Sequence, residues 1–268
     1  MTGSRIVGRL MVGSVLTLAA GAVLLGDHSW NGYHWARSSN PFTLTVVDSV
    51  TSEWDAYLNE AIADWTASSV LDLTRVAGKT GSRDRYLCSS IRGRVRVCNY
   101  PYGDTGWLGI ARIWVNGVHI TKAITAVNDT YFSTATYNTA PWRRLVMCQE
   151  VGHDFGLDHQ DEIFDNVNLG SCMDYTSDPD GPPSNEHPNL HDYEQLETIY
   201  AHTDGKSATA NGSAAGGSAP SAADEDDFVD PPAQWGRLVR SIAGGRVQVY
   251  ERDLGGPNRV VTRVVWVQ

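Results

Sequence analysis

A chain of 268 residues is long enough for one medium-sized domain with extensions. With 41% hydrophobic residues, nine Trp and eleven Tyr it can bury a core, which excludes a disordered polymer. The net charge of −10 argues against a nucleic-acid partner, because phosphate binding demands a basic surface, although part of it is one acidic run from Asp224 to Asp230.

In chain order, Arg5 and Arg9 precede an uncharged apolar stretch, Leu10 to Leu25, which Asp27 ends. That length suits the apolar part of an export signal and is short for a membrane span. Residues 1–26 therefore read as a signal peptide, and the remainder as secreted, extracellular and without a stable membrane span. An uncleaved signal anchor is the alternative. Four cysteines suit an oxidising exterior. Of the three pairings they allow, Cys88–Cys98 with Cys148–Cys172 is preferred, against a reading in which Cys148 is a small buried hydrophobe.

Phe42 to Val47 alternates like a strand. Thr51 or Ser52 is placed to cap a helix whose apolar face is Trp54, Leu58, Ala61, Ile62 and Trp65. Val70 to Val76 reads as a second strand, and 78–106 as mostly loop with a cysteine-bracketed hairpin. Trp107 to Val115 and Val118 to Val127 form a strand pair turned at Asn116-Gly117. Pro141 opens a second helix that runs to about Gly156. A loop over 157–188 and a helix over His191 to Ala201 follow. The order predicts an α/β or α+β fold with a mixed sheet. From Thr203 the chain turns to Gly, Ser and Ala, so 203–233 reads as a flexible, partly acidic linker. Residues 234–268 hold three alternating runs and read as a small β-stranded appendage.

The informative stretch runs from Cys148 to His159. On a helix, Gln149 and His153 lie one turn apart on one face, and Glu150 sits beside them. Gly156 can take a positive φ and turn the chain so that His159 returns to the same point. Three side chains then converge where a zinc ion could sit with water in an open position.

Glu150, His153, Gly156 and His159, with Met173 and Tyr175 downstream in Ser-Cys-Met-Asp-Tyr, resemble the metzincin zinc-peptidase signature and its Met-turn, as matrixins and astacins carry them. The match departs at Gln149, where the family has histidine. The resemblance covers 41–202 and implies a metzincin-like catalytic domain with a mixed sheet, an active-site helix and a C-terminal helix. It also implies a zinc-dependent endopeptidase with Gln149, His153 and His159 on the metal and Met173 beneath it. Glu150 would be the general base and Tyr175 the oxyanion aid. A peptide or protein substrate would lie antiparallel along an edge strand, Trp107 to Val115 or the next one. The enzyme is expected to be a monomer. The alternatives are a metzincin-fold binding module whose catalysis Gln149 has weakened or removed, and a non-peptidase zinc amidohydrolase, for example one acting on cell-wall peptides. The loop acids Asp158, Asp161, Glu162 and Asp165 are either solvated or ligands for calcium, Ca2+. His119, His187, His191 and His202 lack ligand spacing relative to the motif.

Overall fold

The computed structural model describes residue 1, residues 27–209, residue 228 and residues 232–267. The expected signal segment and most of the expected linker lie outside the described residues. Nine strands and five helices follow in chain order: β1 (His34–Trp35), β2 (Phe42–Ser49), α1 (Asp55–Thr66), β3 (Leu71–Ala77), α2 (Ser82–Leu87), β4 (Arg94–Tyr100), β5 (Trp107–Asn116), β6 (His119–Asn128), α3 (Asp129–Phe132), α4 (Ala140–His153), α5 (Leu190–Ile199), β7 (Arg237–Ile242), β8 (Val247–Gly255) and β9 (Asn258–Trp266). The fold is mixed α/β, of the α+β kind, built on one nine-stranded sheet.

The sheet order is β3-β2-β4-β6-β5-β9-β8-β7, with β1 beside the start of β6. The first four strands run parallel, and from β6 onward every neighbour is antiparallel. Parallel strands need covered faces, and α1 and α4 pack on one of them. The core between them holds Trp54, Leu58, Trp65, Val95, Val97, Met147 and Val151. On the other face, Ile110, Trp114, Val260 and Val264 pack with Trp107, Phe228 and Trp235.

Three expectations change. The first helix begins at Asp55 with no side-chain cap, because Thr51 is spent across the sheet on Asn99: its N–H donates to Asn99 Oδ1 and its hydroxyl accepts from Asn99 Nδ2. The stretch 78–106 carries a helix and a central strand, β4, which the alternating Arg and Val of 94–97 bring between β2 and β6. The appendage is not a separate body. Its last strand pairs with β5 from Trp107↔Trp266 to Asn116↔Asn258, so neither β5 nor β6 is the free edge expected for a substrate. The physical reason is the unpaired donors and acceptors of a β5 edge, which a covalently tethered strand satisfies at high effective concentration.

Candidate functional site

Helix α4 starts where Thr139 caps the Trp142 N–H and Pro141 fills the first turn. Its second half, Leu145 to His153, is buried on all sides. Gly152 is required there, because a Cβ would strike the Met173 sulfur and the Trp65 ring, so Met173 packs directly beneath the helix. At Gly156 the chain turns with φ of 95°, and a Cβ would collide with the Tyr33 carbonyl oxygen. The turn brings His159 back, and its Nε2 lies 2.9 Å from that of His153. The Cys148–Cys172 disulfide, with Cα atoms 6.0 Å apart, ties α4 to the turn carrying Met173, and the second disulfide joins Cys88 to Cys98. Tyr175 stands edge-on to His159, with ring centroids 3.7 Å apart, and stacks on Phe164.

Glu150 is fully buried, and neither carboxylate oxygen has a hydrogen-bond partner among the described residues. Burial pushes its carboxyl up to about 8, against the pull of the nearby Arg263 charge. Space for it comes from Gly109 in β5, where a Cβ would overlap the carboxylate. The structure therefore gathers Glu150, His153, His159, Met173 and Tyr175. Gln149 lies on the same helix face, but its amide N–H donates to the Cys172 carbonyl at 2.8 Å, which engages it with the turn.

One residue in this group had no sequence signal. Arg263, on β9, is fully buried and reaches into the site. One guanidinium nitrogen lies 3.3 Å from His159 Nδ1 and 3.4 Å from the Tyr175 hydroxyl, and another pairs with Asp158 at 2.6 Å. Two residues on, Val265 enters the apolar pocket lined by Leu145, Gln149, Phe164 and Tyr175. Residues 263 and 265 of β9 thus face α4, while Val260 and Val264 face the opposite core.

The neighbouring partners favour one tautomer of each ring. His153 Nδ1–H donates to the Leu157 carbonyl at 2.8 Å, which leaves its Nε2 as an acceptor. The guanidinium can only donate, so His159 Nδ1 accepts and its Nε2 carries the hydrogen given to His153. Burial, and after it the Arg263 charge, hold both rings below the usual histidine range, His153 down to about 3. With β9 in place, these residues would hold a zinc ion only after His159 moves its hydrogen to Nδ1 and Gln149 turns from Cys172. One of the two facing nitrogens holds a hydrogen where a metal needs a lone pair, Gln149 is turned to Cys172, and a buried cation stands beside the pair.

The remaining candidates sit elsewhere. Asp158 and Glu162 are both paired with Arg240, and Asp161 accepts from Ile163 and Asn166, so these three loop acids serve the protein's own donors, while Asp165 is exposed. His187 pairs with Asp64, and His191 lies against Gln160. Farther off, His34, His202 and Asp204 form a group that could hold a metal ion, with one ligand atom from each lying within 4.8 Å of the others. The short spacing His202-Thr203-Asp204 was its one sequence signal, and His34 lies 168 residues before His202, too far for any spacing rule. None of the described helices is long and apolar enough to cross a membrane. No family model matches the chain, and no curated protein matches it.

Proposed function

We propose that this chain is a secreted zinc-dependent endopeptidase of metzincin type whose C-terminal strand holds it closed. The observation that carries the reading is Glu150: a fully buried carboxylate with no partner, one residue from Gln149 and a turn from the converging His153 and His159. A purely structural carboxylate at full burial would be hydrogen-bonded, whereas a bare one with a raised pKa suits a group that takes up a proton. The two disulfides agree with an oxidising compartment.

Strand β9 occupies the lane that a peptide would use. It runs antiparallel to β5, presents Val265 to the apolar pocket beside Gln149, and places Arg263 against His159. Withdrawal of β9 would remove the donor from His159 Nδ1, so the ring could move its hydrogen there and turn the Nε2 lone pair towards that of His153. Gln149 would supply an amide oxygen from the same helix face, and Glu150, less desolvated once β9 leaves, would ionise and be able to accept a proton. Zinc, bound by that set, would supply an activated water.

The decisive experiment compares the native chain, Arg263→Ala, and Arg263→Ala combined with Glu150→Gln for zinc content and for cleavage of a denatured protein. Chelator-sensitive cleavage should appear or rise in the first variant and vanish in the second with zinc retained. A zinc-loaded Arg263→Ala chain that cleaves nothing would replace the enzyme with the binding-module reading, which the Gln149–Cys172 hydrogen bond already favours.

A further inference from the structure

We propose that His34, His202 and Asp204 bind a zinc ion that clips the N-terminal segment to the chain just after α5, with His119 holding the Asp204 carboxylate from outside. The site is separate from the Glu150 cleft, and the inference does not rest on the peptidase reading.

The donor geometry comes first. His34 Nε2 and His202 Nε2 lie 3.3 Å apart, His202 Nε2 is 3.4 Å from Asp204 Oδ1, and His34 Nε2 is 3.5 Å from the same oxygen. A tetrahedral zinc shell with bonds of about 2.0–2.2 Å sets its donor atoms about 3.3–3.5 Å apart. Three donors from two chain segments thus form a nearly equilateral triangle of the size such a shell requires. Two imidazoles, one carboxylate and a water complete a four-coordinate set suited to zinc.

The second observation is how each ligand is held. His34 is buried, and its Nδ1–H donates to the Gly32 carbonyl at 2.7 Å, so the neutral ring directs an Nε2 lone pair at a carboxylate oxygen. A lone pair and a carboxylate oxygen 3.5 Å apart leave a place for a cation that both can hold. Asp204 is oriented through its other oxygen, which accepts from Arg37 Nη1 at 2.9 Å and from the Arg37 backbone N–H at 3.2 Å. His119 Nε2 lies 3.0 Å from Asp204 Oδ1, a hydrogen-bond distance, and its strand register places it directly beside His34. Ligands with a backbone carbonyl, a guanidinium and an imidazole behind them have the outer support typical of metal sites.

The clip has a structural consequence. The segment it secures, 28–37, lies over the cleft: Trp30 is edge-on to His153, His28 Nδ1 hydrogen-bonds the Asp158 carbonyl, and the Trp30 N–H donates to Gly156. Metal binding at His34 would therefore stabilise the wall of the cleft without touching its contents.

The test uses the full chain, stripped of metal and titrated with zinc, and with cobalt as a spectroscopic probe. Native protein should bind zinc at this site and gain thermal stability from it. His202, 56% exposed, can be replaced without emptying the core, and His202→Ala should weaken binding by at least about a hundredfold. His119→Ala should weaken it by only about tenfold, as loss of an outer partner does. His159→Ala should leave the cobalt spectrum and the thermal gain unchanged, which separates this site from the cleft. Zinc binding unaffected by His202→Ala, binding lost in His159→Ala, iron recovered in place of zinc, or no thermal gain from zinc would each overturn the assignment.

Discussion

Two of the histidine clusters among the described residues are faced by groups of opposite charge. In the cleft, His153 and His159 meet a buried arginine; at the sheet end, His34 and His202 meet a carboxylate. The cleft pair closes a hydrogen-bond chain, Arg263 to His159 to His153 to Leu157, while β9 is docked. The other cluster points a histidine nitrogen at a carboxylate oxygen, the arrangement that the proposed zinc clip would use. Histidine spacing alone therefore does not decide where a metal goes: the charge of the group opposite and the tautomer it enforces do.

The largest expected effect comes from removing the cleft's buried positive charge. Arg263→Ala should raise zinc affinity at His153 and His159 at least about a hundredfold, because a buried unit charge roughly 5 Å from a dication costs several kcal/mol even at an effective dielectric near 20. The same change should cost about 3 kcal/mol of stability, softened by the Arg240 that still pairs with Asp158. Zinc titration and chemical denaturation of the variant check the two parts, and unchanged zinc affinity would mean that Arg263 is not what separates the clusters.

Next is Asp204→Asn, which should remove zinc from the second cluster and leave Arg37 buried without its anionic partner, a loss of about 3–5 kcal/mol read in thermal melts. Cleavage of the disulfide in a Cys148→Ser, Cys172→Ser chain should cost about 3 kcal/mol for its loop and perturb the cleft, where Gln149 is anchored on Cys172. Zinc binding at His34 and His202 should not change, which zinc titration of the variant would check.

The smallest effect is a pH dependence. Burial, against hydrogen bonds from Ser171 and Asn189, raises the Asp192 carboxyl to about 6. A folded-state pKa above the unfolded one gives stability that is complete below the unfolded value and lost as pH rises through the folded one. Native stability should fall by about 1–3 kcal/mol between pH 4 and about pH 6 from this group. Asp192→Asn should flatten that slope in urea melts, and a slope unchanged by the variant would remove Asp192 as its source.

Much of the local structure was legible in the chain. Asn116-Gly117 fixed the β5–β6 hairpin, Pro141 and the apolar spacing fixed α4, and Gly156 marked the turn that brings His159 to His153. These are short-range effects, decided by backbone preference and by which side of an element is apolar. The sequence also brought Glu150, Met173 and Tyr175 to attention through a motif, and the folded chain gathers them. What the sequence left open was every relation across distance. The alternating run Arg-Val-Val-Thr-Arg-Val-Val at 259–265 says strand but names no partner, and a linker rich in Gly and Ser suggested independence. Only the tertiary structure decided that β9 completes the β5 edge and that Arg263, one arginine among several in that region, is the one buried against His159. His34 and Asp204 likewise meet because β1 pairs with β6 and because Arg37 fixes the turn after α5. Strand pairing and burial of charge are settled by the whole chain at once, since a sheet edge accepts any extended segment and a charge can be buried only where its partner is.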